Sequence, residues 1–505
     1  MSFVLNEVRR ATYFDSIVLM RVSRQIAALP GVEEAGLIIG TPANKSILRD
    51  AGILGAQGDG AEASDLILAL RATDEISGQA ALAEAKRLLD QPSGLITGPT
   101  LETFRTIRAA VQKMPDANLA LISVPGDFAA AEARKALALG LHVMIFSDNV
   151  AIKDEVAIKR EARDLGLFVM GPDCGTAIIG GVPLGFANVV PRGNIGIIGA
   201  SGTGIQEVSC LIARAGRGIS HAIGTGGRDL KEEVGAITTL MAIDALDADV
   251  GTDHIVLVSK PPAAAVARLV LDRVATSAKP FTICFLGAEG LKLPANARAA
   301  ATLRAAAEIA VGGLPATSLS KTPLGPLRGK RVRGLFAGGT LCTETQIVFR
   351  NAGLSVMSNV PAPGASAITG AQDTYVMIDL GADEFTRGRP HPMLEPMVRD
   401  VPLAEALGDP EVGIILLDVV LGYGGHPDPA GHLAGVLAGR RDGPLIIASV
   451  TGTEGDPQPR TAQVQKLTEV GVIVAGSNAD AAEAAIAALD AHLADEQYRP
   501  TIVRR

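Results

Sequence analysis

Short apolar runs alternate with amphipathic stretches along most of this chain. Leu119–Val124, Val143–Phe146 and Leu167–Met170 are largely apolar, and the intervening Phe128–Leu139 and Asp154–Leu165 have the spacing of amphipathic helices. Apolar runs separated by helices are typical of parallel strands that are buried on both faces of a sheet. The pattern therefore predicts an α/β fold made of several doubly wound parallel-sheet units.

Later apolar runs predict further strands of the same kind. They lie at Ile195–Ile198, Ala222–Gly224, Ile255–Val258, Phe281–Leu286, Gly334–Phe336, Tyr375–Asp379, Gly413–Leu417, Leu445–Ser449 and Val472–Val474. We divide the chain into an N-terminal α/β unit (1–95), a Rossmann-like unit (96–190) and two flavodoxin-like domains (191–310 and 331–490). Gly312–Lys330 is rich in Pro, Gly, Ser and Thr, and is predicted to be a linker.

An internal repeat supports the last two domains. Thr203 is followed by Glu at the fourth position and by Ala-Gly at the twelfth and thirteenth, and the same spacing follows Thr340. Further on, KPFTICFLGAEG (279–290) is echoed by GPLIIASVTGTEGD (443–456). The two domains are therefore predicted to be tandem copies of one fold.

Composition and charge exclude several functional classes. The 505 residues carry a net charge of −8, only 3% aromatic residues and no Trp, whereas nucleic-acid binding normally uses a basic surface and aromatic platforms. The sequence contains no run of about 18 apolar residues, so no membrane span is predicted. The N-terminus lacks the apolar core of a signal peptide. The four cysteines form no CxxC pair, so we expect a cytoplasmic protein with no metal site, no nucleic-acid partner and no membrane partner.

Each repeat opens with a strand, a small-residue turn and a helix. The turns are Gly199–Gly204, with Ser201, Gly202 and Thr203, and Ala337–Thr340, with Gly338 and Gly339. Glycines allow a ligand to approach the backbone, and free N–H groups at a helix start attract anions. We predict that both turns bind one phosphate or carboxylate; the alternative is that they only cap their helices.

Two other turns also follow strands, where open α/β sheets bind ligands. In Gly171–Thr176, the candidate ligand-binding residues are Gly171, Asp173 and Cys174. Cys174 is either a reactive thiolate or a small buried side chain. In Gly224–Asp229, Gly226 and Gly227 offer backbone donors and Arg228 offers a cation; the alternative is a structural turn.

A basic loop follows the Tyr375–Asp379 strand. It contains Arg387, Arg389 and His391 among prolines, which suits either a rigid anion-binding loop or a solvated surface loop. His391, Arg387, Thr203 and Thr340 are the candidate catalytic residues. The sequence contains no HExxH, GxSxG or Walker A motif.

Several of these strings resemble a known family. NLALISVPGDF, VMGPDCGTAI, IGASGTGIQE, GTGGRDL and IVLVSKPP resemble the α subunit of succinyl-CoA synthetase over about 115–290, and 331–490 resembles the carboxy-terminal ligase domain of its β subunit. The whole chain, including FDSIVLM, GTPANKS and FTRGRPHPM, is similar to the FdrA family. The resemblance implies a CoA-binding-like unit at 96–190 and paired helix starts that face a phosphoryl group.

The sequence departs from the synthetases at two points. No histidine lies between His254 and His391, although the synthetases carry a phosphohistidine after the segment that FLGAEG resembles. The glycine-rich loop that opens their CoA-binding unit is not visible near 95–110, and no ATP-grasp sequence is recognised in the chain.

Three functions remain open. The FdrA resemblance implies a subunit of an oxamate carbamoyltransferase in purine (allantoin) breakdown, which converts oxalurate and phosphate to oxamate and carbamoyl phosphate. In that case phosphate and a carboxylate or ureide are substrates, other subunits are partners, and no cofactor is assigned. The second function is an acyl-CoA synthetase, for which CoA and a nucleotide would be needed. The third is a non-catalytic subunit that binds an anionic metabolite.

Overall fold

The structure is a computed structural model, and it describes residues 3–12, 14, 16–90, 103–314, 327–370, 374–386, 390–439 and 443–498. The chain forms two compact units. The first consists of residues 1–110 and 383–390, and the second of residues 111–382 and 391–505. The finer division into four segments stays a prediction.

The strands and helices alternate through both units. The strands are β1 (Phe3–Arg9), β2 (Val32–Ile39), β3 (Leu66–Ala72), β4 (Leu119–Ile122), β5 (His142–Ile145), β6 (Val169–Met170), β7 (Thr176–Ile179), β8 (Val182–Gly185), β9 (Arg192–Gly199), β10 (Ile219–Gly224), β11 (His254–Ser259), β12 (Phe281–Phe285), β13 (Ala297–Ala299), β14 (Arg331–Phe336), β15 (Val356–Ser358), β16 (Ser366–Ala367), β17 (Tyr375–Asp379), β18 (Val412–Val420), β19 (Leu445–Thr451) and β20 (Ile473–Ala475). The helices are α1 (Ser16–Ala27), α2 (Pro42–Asp50), α3 (Ala56–Asp59), α4 (Glu75–Asp90), α5 (Ile107–Lys113), α6 (Gly126–Leu137), α7 (Ile152–Asp164), α8 (Gly202–Arg214), α9 (Ile237–Ala248), α10 (Ala264–Ala275), α11 (Leu303–Val311), α12 (Gly339–Asn351), α13 (Asp383–Thr386), α14 (Asp400–Gly408), α15 (Pro429–Leu437), α16 (Arg460–Glu469) and α17 (Asn478–Tyr498), with a 3₁₀ helix at Pro396–Arg399.

The N-terminal unit contains an antiparallel sheet in the order β1-β3-β2. β3 is buried along almost its whole length, which is expected of the central strand. Leu19 and Ile26 of α1 and Leu82 of α4 pack against this strand and form the core of the unit.

The first repeat of the larger unit has a flavodoxin-like sheet. Its order is β13-β12-β11-β9-β10-β7-β8, in which β9 to β13 are parallel and follow the order 2-1-3-4-5. The antiparallel hairpin β7-β8, which the sequence pattern did not predict, extends this sheet next to β10. A separate parallel sheet, β4-β5-β6, precedes it.

The second repeat repeats the design with one insertion. Its parallel sheet has the order β16-β15-β17-β14-β18-β19-β20, so that β17 lies between β14 and β15. A continuous apolar core joins the two repeats, with Val208 and Ile212 of α8, Leu341 and Ile347 of α12, and Ala485 of α17. The predicted α/β architecture with tandem flavodoxin-like domains is thus confirmed.

Candidate functional site

The starts of α8 and α12 meet at one point. Ser201, the N-cap of α8, lies with its Oγ 2.5 Å from Oγ1 of Thr340 in the first turn of α12. Ser201 Oγ also accepts a hydrogen bond from the Gly204 amide at 3.0 Å. The first amides of a helix have no intrahelical acceptor, so two sets of backbone donors converge where the sequence predicts an anion site.

A side chain in place of the glycine would crowd a neighbouring residue at both starts. A Cβ on Gly202 would lie 3.1 Å from Thr176 Oγ1, and a Cβ on Gly339 would lie 2.6 Å from Asp379 Oδ2. Thr203 follows Gly202 on the first turn of α8 and is half-buried, and Gly338 is the buried N-cap residue of α12. The candidate anion-binding residues of the two repeats are therefore neighbours.

Two buried glutamates fix this arrangement. Glu207 Oε1 accepts from the Asn478 amide at the start of α17 at 3.1 Å, and its Oε2 accepts from Thr451 Oγ1 at 2.5 Å. Glu344 Oε1 accepts from the Leu303 amide at the start of α11 at 2.6 Å, and its Oε2 accepts from Asn478 Nδ2 at 2.7 Å. Each glutamate therefore ties its own repeat to the other.

The first repeat has an open crevice beside the start of α8. The chain crosses from β10 over β9 to β11, and ligands of open α/β sheets bind at such a switch point. A cavity of about 360 Å³ lies at these strand ends, and its charged lining consists of Lys231, Lys260, Glu232 and Glu233.

Lys260 is one of two lysines in this crevice. Burial raises the pKa of the Cys342 thiol in α12, and the Lys260 ammonium opposes part of that shift. Its side chain is exposed, and it forms no ion pair with a described carboxylate.

The corresponding crevice of the second repeat is filled by the protein's own charges. Asp418 on β18 accepts hydrogen bonds from the Ala337 and Gly338 amides, both at 2.7 Å. Arg399 Nη2 lies 2.6 Å from Asp418 Oδ1, and both side chains are buried. The two repeats are therefore asymmetric: the first offers space and a lysine, and the second holds a neutralised carboxylate.

The two other predicted loops pack against each other. A Cβ on Gly226 would clash with the Pro172 carbonyl and with Gly171, and a Cβ on Gly227 would lie 3.3 Å from Asp173 Oδ2. Gly175 of the same loop lies 3.9 Å from the Cβ position of Gly202. The two loops therefore pack together near the start of α8, and their role in ligand binding stays a prediction.

Arg228 is already engaged by a carboxylate. Its Nη2 lies 2.8 Å from Glu155 Oε2 and donates to the Val150 carbonyl at 2.8 Å. Fully buried Lys159 joins the same network at 2.9 Å from Glu155 and 2.7 Å from Asp229. A bound anion would therefore compete with Glu155 for Arg228.

Cys174 is a neutral buried thiol. Burial raises the pKa of its thiol to about 12, and its Sγ lies 3.5 Å from the Gly224 carbonyl and 3.6 Å from the Thr176 carbonyl. Both features favour the packing role over the reactive thiolate.

His391 presents a neutral imidazole near the start of α12. Burial lowers the pKa of His391 to about 4, and Asp418 opposes the shift. Its Nδ1 accepts from the Met393 amide at 3.2 Å, which leaves the proton on Nε2. Nε2 lies 2.6 Å from the position of a Cβ on Gly381. Arg387 and Arg389 lie outside the described residues, so their predicted roles stay predictions.

Three residues of the site were missed in the sequence. Lys260 lies in a short SKPP string, and Asp379 and Asp418 each stand inside or at the end of an apolar strand. A polar residue in a buried strand was the available signal for the two aspartates.

With this geometry, the fold is that of the CoA ligases. A family model for CoA-ligase matches residues 335–488, and a CoA binding domain model matches residues 191–287. The second model falls on the segment predicted to be the first flavodoxin-like domain. A third model, described as AllF, heavy metal-associated domain, matches residues 1–97.

Relatives place the chain more closely. It is 40% identical to the uncharacterized protein YahF of Escherichia coli (strain K12) over 93% of this chain and 96% of that protein, so it belongs to the same family as YahF. A succinate–CoA ligase [ADP-forming] subunit alpha 2 of Archaeoglobus fulgidus is 25% identical over 38% of this chain and 77% of its own length. A dinucleotide-forming acetyl-coenzyme A synthetase 1 of Ca. Korarchaeum cryptofilum aligns with 79% of this chain and 87% of its own, at 17% identity and a TM-score of 0.31.

These comparisons favour the alternative function over the one expected first. They support a CoA-ligase-like enzyme, which was the alternative, and lend no support to carbamoyl transfer, which was expected first. The heavy-metal model does not fit the residues present: all four cysteines lie beyond residue 97, and the described residues contain no group of three potential metal ligands. None of the helices in the described part of the chain is long and apolar enough to cross a membrane.

Proposed function

We propose that this chain is a subunit of an acid–thiol ligase of the CoA-ligase class, and that its own site makes or breaks the bond between phosphate and a small acyl group. The observation that carries the proposal is the contact between Ser201 Oγ and Thr340 Oγ1. It brings two helix starts, each with backbone donors and a positive dipole end, to one point. Such a pair suits a phosphoryl group, which has several negatively charged oxygens.

The crevice of the first repeat supports the same chemistry. Lys260 lines the cavity together with Lys231, Glu232 and Glu233, and Ala200, which precedes the N-cap of α8, lines it as well. A volume of about 360 Å³ is at the small end of ligand pockets, which hold roughly 300–1,000 Å³. We infer that phosphate and a small acid bind here, with Thr203 and Thr340 as hydroxyl donors.

His391 would act as a hydrogen-bond donor. Because its imidazole is neutral and carries the proton on Nε2, it suits a developing carbonyl oxyanion better than it suits a phosphoryl carrier. One preorganised oxyanion donor contributes about 3–4 kcal/mol of transition-state stabilisation. In the ligase reaction, the thiol of CoA attacks the acyl carbon of the acyl phosphate and displaces phosphate, which gives the thioester. A partner subunit would supply the nucleotide.

A second candidate is phosphate-dependent carbamoyl transfer of the FdrA type. The absence of histidine between His254 and His391 favours it, because direct attack of phosphate on a ureide needs no phosphorylated enzyme. This candidate function would place the chain in the FdrA group and in allantoin breakdown. The AllF description of the N-terminal match agrees with it in name.

One experiment separates the two candidates. The chain is purified with its native partner subunits and supplied with radioactive phosphate and either acyl-CoA thioesters or oxalurate-like ureides. Labelled acyl phosphate with release of free thiol supports the ligase, and labelled carbamoyl phosphate supports the transferase. If neither product forms, and the double variant Ser201→Ala/Thr340→Val binds phosphate as the wild type does, both functions are refuted.

A further inference from the structure

The crevice of the first repeat is lined by charges of both signs. Lys231, Glu232 and Glu233 come from the turn that follows β10, and Lys260 directly follows β11. All four side chains are exposed, and none of them forms an ion pair with a described residue. The crevice therefore offers two cationic and two anionic groups to a ligand.

The turn that carries three of these charges is anchored at both ends. Leu230 and Val234, which flank Lys231–Glu233, are buried. The Leu230 carbonyl accepts a hydrogen bond from the Ala263 amide at 3.1 Å, and the Gly235 amide donates to the Lys231 carbonyl at 2.9 Å. Because the backbone beneath the charged side chains is held in place, less freedom is lost when a ligand binds between them.

A buried hydroxyl lines the same crevice. Ser259 ends β11 and is only 2% exposed. Its hydroxyl donates to the Lys260 carbonyl, and no described residue donates to its oxygen. Since a serine oxygen has two acceptor lone pairs, Ser259 Oγ can accept a hydrogen bond from a ligand, as the two glutamates can.

These groups discriminate between three classes of small acid. An aliphatic acid would use the lysines and leave Glu232 and Glu233 without a partner. A dicarboxylate would bring a second negative charge next to the glutamates, and like charges repel in such a site. An acid that also carries an ammonium group matches both signs of charge, because the ammonium donates charge-assisted hydrogen bonds to carboxylates.

Building on the proposed function, we propose that the acid bound in this crevice is a small amino acid in its zwitterionic form. Lys231 and Lys260 bind its carboxylate, which is the group that becomes the acyl phosphate. Glu232 and Glu233 bind its ammonium group, with Ser259 Oγ as a further acceptor. The charges of the crevice and of the ligand are then complementary and sum to zero.

Matched probe acids test this substrate class. The amino acids β-alanine and 4-aminobutanoate are compared with butanoate and pentanoate, in which a methyl group replaces the ammonium group, and glutarate represents the dicarboxylates. Dissociation constants are measured on the full chain by ligand-observed NMR in phosphate-free buffer at neutral pH. The variants are Glu232→Gln/Glu233→Gln and Lys231→Gln. The control is Glu405→Gln, at an exposed position of α14.

The wild type should bind each amino acid roughly tenfold or more tightly than its methyl counterpart, the effect of one hydrogen bond to a charged group. Glu232→Gln/Glu233→Gln should lose this preference, keep its affinity for pentanoate and bind glutarate more tightly than the wild type does. Lys231→Gln should weaken the binding of all five acids, and Glu405→Gln should change none of the affinities.

Equal affinities of the wild type for an amino acid and its methyl counterpart would overturn the zwitterion site. A preference that persists in the double variant, shown to be folded by circular dichroism, would overturn it too, as would tightest binding of glutarate. In each case the proposed function still stands.

The opposite failure is also distinguishable. If the preference is found and depends on the glutamates, but the wild type with its partner subunits converts neither amino acid to an acyl phosphate or a thioester, the proposed function fails and the binding site stands. If none of the five acids binds, the zwitterion site is overturned, and product formation decides the proposed function by itself.

Discussion

Glu207 and Glu344 occupy equivalent positions in the two repeats, and each accepts a hydrogen bond from the first residue of a helix in the other repeat. Glu207 binds the start of α17, and Glu344 binds the start of α11. The exchange fixes α8 and α12 relative to one another four residues beyond the point where Thr203 and Thr340 begin the predicted site. The repeat spacing seen in the sequence therefore has a structural reason.

Replacing Glu344 with Gln should remove a pH dependence of stability. Burial raises the pKa of Glu344 to about 8 from 4.5, with the Asn478 hydrogen bond opposing and the Glu207 charge adding to the shift. The folded state thus keeps a proton that the unfolded state releases above pH 4.5. The stabilisation is complete below pH 4.5 and is lost as the pH rises through 8, by about 1.4 kcal/mol per unit.

Urea unfolding at pH 5 and pH 8 measures this effect. The free energy of unfolding of Glu344→Gln should fall less between these pH values than that of the wild type. Glu308→Gln, at an exposed position of α11, should behave as the wild type. If the free energy of unfolding falls equally between pH 5 and pH 8 in Glu344→Gln and in the wild type, Glu344 is ionised throughout this range.

Lys260→Ala should weaken phosphate binding. The lysine lines the crevice of the first repeat without an ion-pair partner among the described residues, and one hydrogen bond to a charged group contributes about 1.5–3 kcal/mol. We therefore expect the Kd for phosphate to rise roughly tenfold or more. Lys153→Ala, at an exposed position of α7, is the control, and equal affinities of the two variants would place the anion elsewhere.

His391→Ala should lower kcat by roughly 10²–10³, the range for loss of one oxyanion donor. Burial lowers the pKa of His391 to about 4, so titration of His391 should cause no inflection of the wild-type rate near pH 6.5. The wild type and the variant should therefore have pH profiles of the same shape in this range. The pH profile of kcat measures this. A histidine-type inflection that disappears in the variant would instead make His391 a proton donor.

The cysteines should resist alkylation in the folded protein. All four are buried, and burial raises the pKa of Cys174 to about 12, so the thiolate is scarce at pH 7.5. Treatment with iodoacetamide followed by mass spectrometry should show no native labelling and no loss of activity. Rapid labelling of Cys174 with inactivation would restore the nucleophilic role.

The strands were predictable because their signal is local. Tyr375–Asp379 has the predicted limits, and the runs at Ile195, Ile255 and Leu445 are all strands of parallel sheets. The hairpin β7-β8 was missed because each of its strands has only four residues and Pro183 interrupts the second.

The site was only partly predictable, because the order of the strands in each sheet brings together charged residues that are far apart in the sequence. Asp379 reaches Gly339 since β17 pairs directly with β14, and nothing in the sequence indicates that β17 lies between β14 and β15. Lys260 directly follows β11, which lies beside β9 at the switch point of the first sheet. The glycine turns were found because a strand, a small-residue turn and a helix are adjacent along the chain.

Phosphate titration of Gly202→Val and Gly339→Val tests the central claim that the two helix starts form one anion site. A branched side chain would meet Thr176 at the first position and Asp379 at the second, and would block the backbone donors. Calorimetry should show one phosphate per wild-type chain and a large loss of affinity in both variants, while circular dichroism shows that each is folded. Unchanged affinity in either folded variant, or two independent phosphate sites in the wild type, would contradict the shared site.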